Sequence, residues 1–444
     1  MLKVWKQCFV LMIIASVTSA CTSKEASKIG NKGVGGESAK DWSKEPMELV
    51  FFANNMETPE DINSRYGDPL RKKFPNLTFK YIQATKGNTL QDLIAAGDRF
   101  DIFFNAIGLF ESQAFENGIQ YDMTDLIKAH NIDLNVLEPM LVNEIKRASG
   151  GKTYMLPVQN NNFVLYYNKE LFNKFGVPYP KDGMTWDDMV GLSIKMSRVD
   201  EGTNYFGYSH YSGLTLRLNS LSIPISESTG SGMPIINKDE RWKTIYQKYF
   251  IEPFHSPVYE DHFKKSGNIP NLSNFSKGNL AMFLYLSSLM QLADPYLKDV
   301  DWDVAAMPTL KENPGVGTQA NPIYMGITKM AGNKDGAMEV LKYFISNEYQ
   351  VEMARQGIIP SLKDKDVKSQ LGASVTGSAK GKNWGAVFYN NFAPSAPMGP
   401  YDIKLASIYE KYADTLTKGK ADLNTVLRQA EEESVKYVNE QKSK

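Results

Sequence analysis

An α/β fold divided between two lobes is what this sequence predicts, and three observations carry the prediction. The chain of 444 residues is longer than one hydrophobic core organises, so two lobes with separate interiors are expected. From Met47 to Asn105 the apolar pattern alternates strand, helix, strand, helix, strand, the order that a parallel sheet with crossover helices requires. Between Gly151 and Trp186 an apolar β-rich run is broken at Pro157 and by the triplet Asn160, Asn161 and Asn162, then resumes at Val164-Leu165-Tyr166-Tyr167. A strand interrupted in this way is where a chain turns.

In chain order, the first twenty residues read as an export signal: Lys3 and Lys6 precede the apolar run Cys8 to Val17, and Thr18-Ser19-Ala20 supply small residues before Cys21. The run is too short to span a bilayer. Cys8 falls in the discarded leader, so Cys21 is the first mature residue and has no disulfide partner. A lone cysteine directly after such a leader resembles the lipid-bearing cysteine of bacterial lipoproteins; simple secretion with a free thiol is the alternative. Residues 21–46 are rich in Ser, Gly and Lys and read as a tether with a reach of about 25–30 Å.

The folded part begins at Met47, with a strand that ends at Asn54-Asn55. Ile62, Tyr66, Leu70 and Phe74 recur every fourth residue as a helix that Gly67 and Pro69 bend or split. Leu77 to Ile82 is the second strand, Thr89 with Asp92 caps the next helix, and Phe100 to Asn105 is the third strand. Ligands sit beyond the carboxyl ends of such strands, which nominates Asn54, Asn55 and Asn105; each is equally suited to a plain turn. Short helical patterns fill 111–149. After the asparagine triplet, Asn168 is an N-cap, Leu171, Phe172 and Phe175 form a stripe, and Gly176 stops the helix. Thr185 opens another helix with Met189, Leu192 and Met196 on one face.

From Asp200 to Asn237 the periodicity is too weak to place elements, although Tyr205, Tyr208, His210 and Tyr211 cluster there in polar surroundings. Phe275 to Ser288 reads as a short helix passing through Gly278 into a buried strand, and Trp302 to Pro308 as another strand. Asn321 to Thr328 is extended, Asn333 starts a helix with Ala337, Val340, Leu341 and Phe344 inward, and Leu423, Val426, Leu427 and Ala430 mark a helix near the C-terminus.

Lysine plus arginine equals aspartate plus glutamate at 50 each, so no bulk field favours nucleic acid. His130, His210, His255 and His262 are scattered without metal-ligand spacing, and no paired-cysteine pattern occurs. There is no G-x-S-x-G elbow, phosphate loop or G-x-G-x-x-G fingerprint, so no catalytic residue, metal or cofactor is expected. Two carboxylates alone suffice for a glycosidase. The polar turns here nevertheless carry asparagine and serine more than acids, which favours binding without turnover.

The segment GKTYMLP, followed by LYYNKELFNKFGV and TW-DDM, resembles the signature region of solute-binding lipoproteins of carbohydrate-type ABC importers, the maltose-binding-protein-like superfamily. Phe275-x-x-Gly278-x-x-Ala281-Met282, the strand Trp302 to Pro308, and Ile327 through Asn333, Ala337, Leu341, Phe344, Gly357 and Pro360 extend the match across roughly 150 to 360.

The resemblance implies a periplasmic-binding-protein-like fold: two α/β lobes joined by three hinge crossings and closing on a sugar, with no enzyme activity. The implied crossings lie near Pro157 to Asn161, Asn321 to Met325, and Pro360. Lobe I is then 47–157 plus 325–360, and lobe II 158–324 plus 361–444. It implies a monomer, lipid-anchored at Cys21 outside the cytoplasm, that delivers a mono- or oligosaccharide to ABC permease subunits. An exported carbohydrate-active enzyme, or the same fold with a non-sugar solute, are the alternatives. Asn160 and Asn161 would line the cleft at the hinge. The family's usual stacking aromatic after the Ala-Met strand is replaced by Tyr285-Leu286-Ser287-Ser288. Tyr211, Tyr285, Tyr324 and Trp384 are candidates for its role, with a packed core aromatic as the alternative for each, and Ser287 is a candidate hydrogen-bonding group.

Overall fold

A computed structural model describes residues 40–53, 57–227 and 231–443. The leader, Cys21, most of the tether, Asn54 and Asn55 therefore lie outside the described residues. Chain contacts divide the protein into Met1–Asp41 and Trp42–Lys444, and every described strand and helix lies in the second unit.

The strands, in chain order, are β1 (Met47–Ala53), β2 (Leu77–Gln83), β3 (Ile102–Ala106), β4 (Leu156–Gln159), β5 (Phe163–Asn168), β6 (Arg198–Asp200), β7 (Thr203–His210), β8 (Leu280–Leu286), β9 (Trp302–Ala306), β10 (Val316–Gln319), β11 (Ile323–Ile327) and β12 (Asn391–Ala393). One five-stranded sheet has the order β2-β1-β3-β11-β4, the other β6-β7-β8-β5-β9, and β10 pairs with β12 in a separate ribbon. In the first sheet β2, β1 and β3 run parallel, as the strand-helix alternation requires, and β11 enters antiparallel between β3 and β4.

Local signals place the helices. Thr89 with Asp92 and Thr185 with Asp188 form full capping boxes, and Asn168 and Asn333 accept the first-turn amides of their helices. The helical stretch from Pro59 to Lys73 is continuous but bends. Pro69 cannot donate to a carbonyl four residues back, and residues Asn63–Gly67 widen to a π turn in which the Asp68 amide reaches the Asn63 carbonyl. Ile62, Tyr66, Leu70 and Phe74 still all face inward.

The second lobe has the heavier core, with Trp186, Trp242 and Trp302 fully buried and Trp186 stacked on Tyr249 at 4.1 Å. The region without periodicity supplies β7, whose Phe206 and Tyr208 are buried, and the short helix Ser212–Arg217.

Register fixes where the chain passes between sheets. Ala53 pairs with Gln83, and Ile323 pairs with both Ala106 and Gln159, so the carboxyl ends of β1, β2, β3 and β4 share one edge. Phe163 pairs with Leu286, Val164 with Ala306, and His210 with Leu284, so the carboxyl ends of β7, β8 and β9 share an edge with the start of β5. The connecting segments run between these two edges. β4 continues to Gln159, β11 starts at Ile323, and Leu362 and Val367 pack in the first lobe's core. Strand pairing, rather than the proline positions, sets these limits.

Candidate functional site

The three passages between the sheets are tied to one another at the asparagine triplet. The Asn160 amide donates to the Ile359 carbonyl at 2.8 Å, and the Asn161 carbonyl accepts from the Asn321 amide at 3.0 Å. The Asn161 side chain is engaged at both ends. Its Oδ1 accepts from the Ser287 hydroxyl at 2.7 Å and the Ser288 amide at 3.2 Å, while its Nδ2 donates to the Ser288 hydroxyl at 3.1 Å. Asn162 Nδ2 donates to the Val387 carbonyl at 2.7 Å.

Several nominated residues therefore serve the protein itself. Asn161 and Ser287 form a latch between the first passage and the end of β8, and Ser287 is buried. Asn160 is buried with its Oδ1 accepting from the Asn161 amide. Asn105, at the carboxyl end of β3 as expected, is also buried and donates to Gln113 Oε1 at 3.3 Å. Tyr324 is a core residue whose hydroxyl donates to the Leu141 carbonyl. Trp384 is likewise core: its indole donates to the Ala379 carbonyl, and a Cβ at Gly357 or Gly372 would stand 2.6 or 2.5 Å from the ring. Both glycines have positive φ, so the slot needs glycine for backbone and space alike. Packing, which no motif encodes, places both aromatics in the core.

Tyr211 and Tyr285 behave differently. Tyr211 follows β7 directly and is 44% exposed, with its ring 5.5 Å from Tyr285. Tyr285, near the end of β8 and half-buried, lies over Phe283 at 5.3 Å and 15°, because residues two apart on a strand share a face. Two tyrosines thus stand together at the strand edge that faces the passages.

The second passage borders a small cavity of about 30 Å³ lined from both lobes, by Gly108 and Glu144 on one side and Arg217, Asn321 and Asp402 on the other. Glu144 is held by Arg147. Asp402 accepts from the Ser226 hydroxyl and, at 2.9 Å, from the Gly399 amide; burial pushes its carboxyl up. Nearby Glu111 is pushed up to about 7 by burial, opposed by the Arg147 charge and reinforced by the Glu144 and Asp402 charges. Arg217, Asn321, Glu144 and Asp402 gave no signal as site residues in the sequence. Arg217 closes a six-residue helix inside the aperiodic region.

Among the described residues no group of three or more His, Cys, Asp or Glu side chains is placed to hold a metal. His210 is packed among Tyr208, Phe250 and Phe254, and burial lowers its pKa to about 3.

The pattern of the bacterial extracellular solute-binding proteins matches residues 59–351, most of the chain. The chain belongs to that family. This solute-binding protein therefore works outside the cytoplasm. A Brucella abortus chain described as a binding protein is 24% identical over 330 residues, covering 68% of this chain and 73% of its own length. Three solved structures share the fold. A Listeria monocytogenes ABC substrate-binding protein in complex with cycloalternan has a TM-score of 0.64 at 19% identity, covering 89% of this chain and 100% of that one. A Rhizobium etli sugar transporter in an open conformation has a TM-score of 0.66 at 19% identity, covering 87% and 98%. A Thermotoga lettingae solute-binding protein bound with α-D-tagatose has a TM-score of 0.61 at 18% identity, covering 89% and 100%.

Proposed function

We propose that this solute-binding protein captures a mono- or oligosaccharide between its two lobes and delivers it, chemically unchanged, to the permease subunits of an ABC importer. The observation that carries the reading is the pairing of the exposed Tyr211 with the half-buried Tyr285 at the carboxyl ends of β7 and β8. Aromatic faces pack against the C–H face of a pyranose, and the polar groups around the passages pair with its hydroxyls. The cycloalternan bound to the Listeria protein and the α-D-tagatose bound to the Thermotoga protein support the same class of ligand.

The lobes we assign are 47–159 with 323–369 and 160–322 with 370–443, closing as rigid bodies about the three passages. The mature protein is a monomer, tethered by residues 21–46 to a lipid on Cys21. Equilibrium dialysis against a panel of mono- and oligosaccharides tests the capture. Saturable retention of one sugar class, recovered without new reducing ends, is expected; retention only of a non-sugar solute, or recovery of cleaved product, contradicts it. For the anchor, Cys21→Ser is expected to move the protein from the membrane fraction to the soluble one.

A further inference from the structure

The interlobe cavity contains one unmatched cation and one unmatched amide. Among the described residues the Arg217 guanidinium makes no hydrogen bond or ion pair, although burial disfavours its charge and lowers its pKa. Asn321 is 7% exposed, and its Oδ1 is fully buried without a partner. The other charged groups of the lining already have partners: Arg147 for Glu144, and Ser226 and Gly399 for Asp402.

A half-buried guanidinium without a partner among the described residues calls for an anion, and a planar fork of N–H donors fits a carboxylate at both oxygens. Size agrees. One water needs about 10–15 Å³, so a cavity of about 30 Å³ takes two water-sized atoms, the two oxygens of a carboxylate, and excludes a sugar ring. A neutral hydroxymethyl group would fill less of it and leave the charge uncompensated. Asn321 Oδ1, an unpartnered acceptor on a residue of the same lining, suits a ligand that carries a hydroxyl as well as a carboxylate.

We propose that this cavity is a carboxylate subsite and that the sugar bound in the cleft is an acidic one, a uronic acid or an oligomer containing it. The carboxylate pairs with Arg217 and a neighbouring hydroxyl donates to Asn321. The proposal rests on the carbohydrate reading and narrows it.

Calorimetric titration of the full mature chain tests it, with glucuronate and galacturonate, the neutral glucose and galactose, the amino sugars glucosamine and galactosamine, and disaccharides of each class. The acid is expected to bind at least about tenfold tighter than its neutral counterpart, with the advantage shrinking as salt rises. In Arg217→Gln that ratio collapses, and in Arg217→Lys part of it remains. Neutral sugars binding as tightly as acids, or a ratio unchanged in Arg217→Gln, overturns the carboxylate subsite and leaves sugar capture standing. Preference for amino sugars overturns it in favour of Glu144 and Asp402 as the recognising charges. Should no sugar of any class bind, the carbohydrate reading itself fails and the subsite with it. If Arg217→Gln does not fold, the acid-to-neutral ratio of the unaltered protein and its salt dependence decide alone.

Discussion

Asn161 and Tyr211 divide the work at the residue scale. Asn161 loses its contacts to Ser287, Ser288 and the Asn162 amide when truncated, and some of those groups are buried. Asn161→Ala is therefore expected to lower stability by about 1–3 kcal/mol, read as a fall in the urea midpoint. Tyr211→Ala removes a largely exposed ring; the midpoint is expected to stay within about 0.5 kcal/mol while sugar affinity drops about 2- to 10-fold. Equal midpoints for the two variants would contradict this division. The sequence drew attention to both residues and could not separate them, because an amide serves a protein hydroxyl as well as a sugar hydroxyl. Tyr211 and Tyr285 were legible as aromatics in polar surroundings. Arg217 was not, since only the fold shows that its charge has no partner.

Glu111 adds a pH dependence at the same scale. Its folded pKa of about 7 lies above the ordinary carboxylate value of 4.5, so the folded state binds the proton more tightly. The associated stability is fully present below about pH 4.5 and is lost as pH rises through 7. Glu111→Gln, which stays neutral, is expected to raise the melting temperature at pH 8 and leave it nearly unchanged at pH 5. An unchanged difference between mutant and parent across that range would contradict the burial argument.

At the scale of elements, β11 is the strand that returns the chain to the first sheet, and its Gly326 is pressed between neighbours. A Cβ there would stand 2.3 Å from the Tyr154 carbonyl oxygen and 2.7 Å from the Phe110 ring. The carbonyl belongs to backbone and cannot swing aside, so Gly326→Ala is expected to cost several kcal/mol or abolish soluble expression; a melting temperature near that of the parent would refute the close approach. Elements written in local chemistry were legible: the capping boxes at Thr89 and Thr185, the Asn168 and Gly176 limits, and the bend near Gly67 and Pro69. The β10–β12 ribbon was not, because it joins Val316 to Asn391 and neither short strand alternates strongly. β7 was hidden by its glycine, serine and asparagine content, although packing against β8 buries its second half.

For the molecule as a whole, the register of two sheets brings the carboxyl ends of seven strands to two edges, and three passages bonded through Asn160 and Asn161 connect them. The cavity lined by Arg217 and Asn321 is smaller than a sugar ring, so on the proposed reading a ligand enters with the lobes apart and is held when they close. The two-lobed fold that permits these motions was legible from length and strand order. A ligand that binds only the closed, folded form raises stability by RT ln(1 + [L]/Kd), about 2.7 kcal/mol at a hundredfold excess over Kd. Melting temperature measured against rising concentrations of neutral, acidic and amino sugars tests this most directly. A rise of several degrees that follows this logarithm for one sugar class is the predicted result; a flat response to every sugar, alongside a rise with an unrelated solute, would contradict it.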